Sequence, residues 1–108
     1  MKVEIKIMNI LYLIVDKKSS NIVSERQKTA IIYDDDINAI RGCVNLMMSV
    51  SNYYQFADDF ELFRVADVET LMSQKHYDIV SLGTFADFKR DYMSVMHSKD
   101  DEGDDDEV

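Results

Sequence analysis

The chain has 108 residues, 46% of them hydrophobic, with no Trp or Pro, three Gly and one Cys. This length fits one domain that buries its own core, and a single cysteine excludes an internal disulfide or a multi-cysteine zinc site. Most of the net charge of −9 comes from residues 100–108, which hold seven acids and no base, leaving 14 acidic against 12 basic residues elsewhere. A nearly neutral body lacks the cationic excess of a strong nucleic-acid-binding domain.

The apolar run near the amino terminus differs from both a membrane span and an export signal. It extends from Ile7 to Val15 and is interrupted by Asn9, whereas a helix needs roughly 20 apolar residues to cross a bilayer. Glu4 precedes the run and Asp16 follows it, unlike the basic start and small-residue cleavage site of a signal peptide. We therefore expect a cytoplasmic protein with no membrane partner.

Two strands are predicted in the first third of the chain. Residues 3–15 are rich in β-branched and aromatic side chains with a loose alternation, which is typical of a long strand. Residues 30–33, Ala-Ile-Ile-Tyr, form a second short apolar run. The polar stretch 24–28 between them is predicted to be an exposed loop or a strand extension.

The helix after Asp34-Asp35-Asp36 has the clearest pattern in the sequence. The three carboxylates can cap its first turn and favour its positive end. At about 100° per residue, one set of side chains is predicted to pack and another to face water. The residues predicted to pack are Ile37, Ile40, Cys43, Val44, Met47, Met48 and Ser51. The residues predicted to be exposed to solvent are Asn38, Arg41, Gly42, Asn45 and Ser49. Residues 51–55 are predicted to end this helix.

The second half is predicted to hold two strands and a terminal helix. Residues 60–68 and 78–83 have the composition of strands, 69–76 form a helical turn or loop, and 86–95 have helical spacing. We therefore predict an α+β domain with an antiparallel or mixed sheet of about four strands, in the order strand-strand-helix-strand-strand with a C-terminal helix. The domain is expected to span residues 1–97.

A sheet covered by one main helix leaves its other face in need of a partner. Because the first strand is strongly apolar, the sequence predicts self-association, with a homodimer favoured.

Catalytic, cofactor and metal sites are not predicted. His76 and His97 lack the spacing of metal ligands, and Asp34-Asp35-Asp36 lacks the alternating oxygens of a calcium loop. Cys43 lies at the edge of the apolar helix stripe and is interpreted as a core residue. With three glycines there is also no phosphate-binding loop or nucleophile elbow, so we expect a protein that is not an enzyme.

Aromatic residues between positions 53 and 63 could stack on single-stranded DNA or pack in a core or dimer contact. Packing is favoured, because the nearest basic residues in sequence are Arg41 and Arg64. The candidate contacts with a partner or with single-stranded DNA are Arg41, Tyr53, Tyr54, Phe63 and Arg64. Methionines are interpreted as core residues in preference to a partner-binding surface. They are Met47, Met48, Met72, Met93 and Met96.

Residues 98–108 are predicted to be a disordered acidic tail, because such a charge run repels itself and has no apolar residues to bury. Its acidic members are Asp100, Asp101, Glu102, Asp104, Asp105, Asp106 and Glu107. Their simpler role is to keep the protein soluble. The more specific hypothesis is that they mimic a nucleic-acid backbone, and either dock on a basic partner or compete with DNA.

Three segments together resemble the small nonstructural protein of gokushoviruses, a group of single-stranded-DNA phages. They are the strand 11–16, the helix start Asp-Ile-Asn-Ala-Ile-Arg with Val-Asn at 36–45, and the strand Asp-Asp-Phe-Glu-Leu-Phe-Arg-Val-Ala at 58–66. The chain departs from the family at residues 67–70, where the family has a Thr-Gly turn, and in its acidic tail.

This resemblance implies a phage accessory protein of the host cytoplasm, conventionally placed in the switch to single-stranded genome synthesis and packaging, with no catalytic residues. The leading hypothesis is an oligomer that contacts replication or packaging proteins and binds single-stranded DNA weakly. The alternative is a protein-only adaptor or inhibitor of a host protein, with no DNA affinity.

Overall fold

The fold is a four-stranded antiparallel sheet with helices packed on it. The computed structural model describes residues 9–74 and 76–94. The strands are β1 (Ile10–Asp16), β2 (Lys28–Tyr33), β3 (Phe60–Asp67) and β4 (Val80–Thr84). The helices are α1 (Asp36–Ser49), α2 (Ser51–Gln55), α3 (Val68–Met72) and α4, which covers residues 85–94. This architecture confirms the predicted α+β fold and its strand-strand-helix-strand-strand order with a C-terminal helix.

The boundaries of several elements differ from those predicted. Strand β2 begins two residues earlier, at Lys28, and the loop before it contains a short 3-10 turn, Val23–Glu25. The segment 51–55, predicted to end the helix, forms the separate helix α2 after a break at Val50, whose backbone is extended. Part of the predicted first strand, 3–8, lies outside the described residues.

Strand β1 lies in the middle of the sheet. The strand order is β2-β1-β3-β4, and every neighbouring pair is antiparallel. Leu13 on β1 lies opposite Ala30 on β2 and Phe63 on β3. The pairing of β1 with β3 shifts between Leu11 and Tyr12, so Val65 on β3 is an extra residue at a β-bulge. The residues of β1 thus have neighbours on both sides.

The hydrophobic core lies between the helices and one side of the sheet, which we call the first face. Its cluster of buried residues comprises Tyr12, Ile14, Ala39, Cys43, Met47, Ala57, Leu62, Phe85 and Phe88. Strands β1 and β3 supply Tyr12, Ile14 and Leu62, while α1 and α4 supply side chains from above. Burying such a cluster is the main source of stability for a domain of this size.

Helix α1 begins where the acidic triplet predicts. The Oδ1 atom of Asp35 accepts a hydrogen bond of 2.8 Å from the backbone N–H of Asn38, which is an N-cap. The carboxylate of Asp34 also accepts a hydrogen bond from the side-chain amide of Asn38. The prediction that this triplet caps the helix is confirmed.

The face on which α1 packs was predicted in part, because four of the seven residues predicted to pack are buried or contact the core, namely Ile40, Cys43, Val44 and Met47. Ile37 is 66% exposed and Met48 is 52% exposed, while Gly42, predicted to face water, is buried. The buried residues of α1 centre on Cys43 and extend toward Gly42, about a quarter turn from the predicted stripe. The reason is a close approach of α1 to Tyr33, because any Cβ at position 42 would overlap the tyrosine ring.

The connection from β4 to α4 depends on a glycine and a capping box. Gly83 has a φ of +125°, a conformation that side-chain-bearing residues rarely adopt. At the start of α4, the backbone N–H of Thr84 donates to the Asp87 carboxylate, and the N–H of Asp87 donates to the Thr84 hydroxyl. These bonds fix α4 so that Phe85 and Phe88 enter the core.

Candidate functional site

The second face of the sheet, opposite the core, is largely apolar. Since Tyr12 and Ile14 point into the core, strand alternation directs Leu11, Leu13 and Val15 to the other side. Residues directly opposite in the ladder share a face. The second face therefore comprises Leu11, Leu13, Val15, Lys28, Ala30, Ile32, Glu61, Phe63, Ala66, Ser81 and Thr84.

Three of the described helices pack on the opposite side of the sheet. Helices α1, α2 and α4 contribute to the core on the first face, and α3 has no buried residue. The core cluster and the side chains packed against it include no residue of the second face. Ile32 is 56% exposed there, Leu11, Leu13 and Phe63 are half-buried, and Val15 is buried. An apolar sheet face of this kind is typical of a binding surface.

Charged residues mark one end of the second face. Lys28 and Glu61 lie on opposite sides of Val15, one on β2 and the other on β3. Glu61 forms an ion pair with Lys17 at 3.6 Å and accepts a hydrogen bond of 2.7 Å from the Ser81 hydroxyl. The ammonium group of Lys28 donates to the backbone carbonyl of Arg26 at 2.9 Å. The surface is therefore apolar in its middle and charged at the end near Val15.

Three of the five aromatic residues predicted as a cluster pack against the core, namely Tyr53, Tyr54 and Phe60. The ring of Tyr53 packs edge-on against Phe60, with centroids 4.7 Å apart, and also contacts Phe85 at 5.5 Å. This confirms core packing for Tyr53 and Phe60. Phe56 differs, because it is exposed at the end of α2.

A cleft between α2 and α4 brings basic residues to Tyr54, which is half-buried. The cleft measures about 310 Å³ and is lined by Tyr54, Asp58, Lys89 and Arg90, among others. The Lys89 ammonium lies 3.8 Å from the centroid of the Tyr54 ring, a cation–π contact. Arg90 is exposed and pairs with Asp87 at 3.2 Å. We call this feature the Tyr54 cleft.

Sequence reasoning missed Lys89 and Arg90 as neighbours of the aromatic cluster. They lie 35 residues or more from Tyr54 along the chain, and only the packing of α4 against α2 brings them close. The sequence did hold a partial signal for their position. Phe88 predicts that one face of the C-terminal helix packs on the core, and Lys89 is its neighbour in the chain.

A second cleft, of about 600 Å³, lies at the other end of the sheet, beside Asp36 and Arg64. The Asp36 carboxylate accepts hydrogen bonds from the buried Tyr12 phenol and from the Arg64 guanidinium. The phenol's pKa is raised well above its ordinary value by burial and then by this bond, so it remains a donor. Asp67 caps α3 at the rim of this cleft. These carboxylates therefore have structural roles.

The five residues predicted to contact a partner or DNA do not form one surface. Arg41 is exposed on α1, Arg64 pairs with Asp36, and Phe63 lies on the second face. Tyr53 is in the core, whereas Tyr54 borders its own cleft. Their contact with DNA or a partner stays a prediction. The acidic tail residues, from Asp100 to Glu107, lie outside the described part of the chain.

The remaining candidate side chains have structural environments. Cys43 is fully buried, as predicted for a core residue, and burial raises the pKa of its thiol to about 12. His76 is exposed and lies 3.2 Å from the Asp78 carboxylate. Within residues 9–74 and 76–94, no group of three or more His, Cys, Asp or Glu side chains could hold a metal ion.

The interpretation of the methionines holds only for Met47. Met47 is buried in the core, but Met48, Met72 and Met93 are exposed. Met48 is turned outward by the rotation of α1, Met72 lies on α3, and Met93 on α4 borders the Tyr54 cleft. Met96 is outside the described residues.

Comparisons with protein families, curated proteins and solved structures found no match to this chain. In the described part of the chain, no helix has the length and apolar character needed to span a membrane.

Proposed function

We propose that this protein is a non-enzymatic accessory factor of single-stranded-DNA phage replication or packaging, acting in the host cytoplasm. It works as an oligomer, through protein contacts with replication or packaging proteins, and binds single-stranded DNA weakly. The phage context rests on the resemblance of residues 11–16, 36–45 and 58–66 to gokushovirus nonstructural proteins.

The observation that carries the proposal is the apolar second face. Its central residues Leu11, Leu13 and Phe63 belong to strands held rigidly by neighbours on both sides. A rigid sheet surface with an apolar middle and a charged end suits association with another protein, since apolar burial drives binding and charges select the partner.

The Tyr54 cleft supports the proposal that the protein binds single-stranded DNA weakly. Lys89 and Arg90 can meet phosphates, while the Tyr54 ring offers a surface for a base. The nearby carboxylates of Asp58, Asp87 and Asp91 oppose a polyanion. The balance of these charges favours weak, salt-sensitive binding, which removal of the acidic tail strengthens.

Fluorescence anisotropy with labelled single-stranded DNA tests this part of the proposal. The full chain, the 1–99 truncation and a Lys89→Ala variant are titrated at low and moderate salt, with Lys18→Ala as control because Lys18 is exposed in the β1–β2 loop. We expect weak binding by the full chain, tighter binding by the truncation, and a loss for Lys89→Ala. The salt slope should fall by about 0.7 if Lys89 meets one phosphate.

The alternative function is a protein-only adaptor or inhibitor of a host protein, which uses the same second face. It predicts no DNA binding by any variant at any salt. Affinity capture from infected cells separates the two: recovery of replication or capsid components supports the accessory factor, and recovery of host proteins alone favours the adaptor.

A further inference from the structure

We infer that two copies of this chain pack second face to second face, about a two-fold axis parallel to β1, so that Lys28 of each copy lies over Glu61 of the other. This inference rests on the proposed function, which has the protein act as an oligomer, and it specifies the surface and the symmetry.

The arrangement of the strands determines which residues would meet. Strand β1 lies between β2 and β3, so a two-fold axis along β1 places β2 of one copy over β3 of its partner. Residues at the same level along β1 then face each other. Two sheets stacked in this way keep their strands nearly aligned, as in β-sandwiches, about 10 Å apart.

The sizes of the facing side chains are complementary under this symmetry. Ala30 and Phe63 lie on either side of Leu13, at one level of the sheet. The axis places the small Ala30 of one copy against the large Phe63 of the other, and does so twice. Leu11 and Leu13 lie along the axis and meet their own counterparts. Large against small is the pattern by which two apolar layers interdigitate.

The charges are complementary as well. Lys28 and Glu61 lie on either side of Val15, so the same axis makes two symmetric Lys28–Glu61 pairs at the edge of the contact. The Lys28 ammonium has three donors, and hydrogen bonds to the carbonyls of Ser24 and Arg26 leave one for the partner's carboxylate. Glu61 can likewise accept a further bond.

A two-fold axis across the strands lacks these matches. A two-fold axis across the strands at Leu13 would stack β2 on β2, placing Lys28 over Ile32 of the partner and Glu61 over Ala66. Both charges would then be buried against apolar side chains, which is costly. The residues therefore favour the axis parallel to β1.

A charge-reversal experiment tests both the surface and the axis. Sedimentation velocity is run on the full chain, on Lys28→Glu, on Glu61→Lys, and on an equimolar mixture of the two variants, with circular dichroism to verify that each is folded. In each single variant both symmetric pairs become repulsive, so dimerisation should weaken by about tenfold or more. In the mixture, a heterodimer has two attractive Glu–Lys pairs, so dimers should return.

Each outcome decides the inference. A dimeric full chain, weakened single variants and a restored mixture support it. A dimer that neither reversal weakens, or a mixture that stays monomeric, overturns the inferred face and axis but leaves the proposed oligomer intact. A full chain that is monomeric up to near-millimolar concentration overturns both the inferred dimer and the proposed oligomer. The second face would then have to bind residues 1–8 or a different protein.

Discussion

The phenol of Tyr12 donates a hydrogen bond of 2.8 Å to Oδ1 of Asp36, which links the middle of the sheet to the first turn of α1. Arg64, opposite Tyr12 on β3, bonds the other oxygen of the same carboxylate. One side chain thus holds β1, β3 and α1 together, while the polar atom of a fully buried tyrosine keeps a partner.

We expect Asp36→Ala to destabilise the fold more than Tyr12→Phe does. Removing the phenol hydroxyl costs about 1 kcal/mol, but removing the carboxylate leaves a buried donor unpaired and costs about 2–3 kcal/mol. In the double variant the two losses should not add, because the unpaired donor is gone. Urea denaturation measures these values, with Asp58→Ala as an exposed control. Additive losses would show that the two groups do not interact.

Gly42→Ala should destabilise the protein, although alanine normally stabilises a helix by about 1 kcal/mol relative to glycine. The added methyl would overlap the Tyr33 ring and force it away from α1, at a cost of about 1–3 kcal/mol. In a Tyr33→Ala background the same change should become stabilising. Thermal denaturation of the four proteins provides the test. If Gly42→Ala changes the stability in the same direction in both backgrounds, the close approach of Gly42 to Tyr33 is contradicted.

Cys43 should be unreactive in the folded protein. Burial raises the pKa of its thiol to about 12, so the nucleophilic thiolate is scarce at neutral pH and is also shielded from reagents. We expect labelling by a disulfide reagent at pH 8 to be at least about a hundredfold slower than in guanidinium, because it requires opening of the core. Equal rates in the two conditions would contradict the burial of this thiol.

The carboxyl of Asp87 should make the stability of the fold depend on pH in the acidic range. Hydrogen bonds from the backbone N–H and then the side chain of Thr84 lower the pKa of its carboxyl. Because the folded pKa lies below the unfolded value of about 3.9, the stabilisation is present above that value and is lost as pH falls through the folded pKa. Asp87→Asn should therefore lower stability at pH 7 and have little effect near pH 2. Asp91→Asn, an exposed change on the same helix, serves as the control, and equal losses at both pH values would exclude the carboxylate's role.

Local sequence patterns predict most of this fold, because strand alternation, helix periodicity and the Asp35 cap depend on residues close together in the chain. The alternation around Tyr12 also predicts that β1 has an apolar side away from the helix. The rotation of α1 was unpredictable, since it follows from Gly42 meeting Tyr33 on another element. The Tyr54 cleft likewise exists only because α4 folds back on α2. The apolar spacing of α4 predicts that it packs, but not which helix it meets.

If the second face joins two copies of the chain, a charge placed on that face should separate them. Sedimentation velocity of the full chain beside Ile32→Lys and Ile79→Lys tests this association. The two isoleucines are matched in exposure, at 56% and 58%, but Ile32 lies on the second face and Ile79 precedes the edge strand β4.

We expect the full chain and Ile79→Lys to form dimers and Ile32→Lys to dissociate, because a buried charge at the contact weakens association by about tenfold or more. Circular dichroism of all three proteins verifies that the fold is retained. A monomeric full chain, or an Ile32→Lys variant as dimeric as the control, would contradict association through the second face.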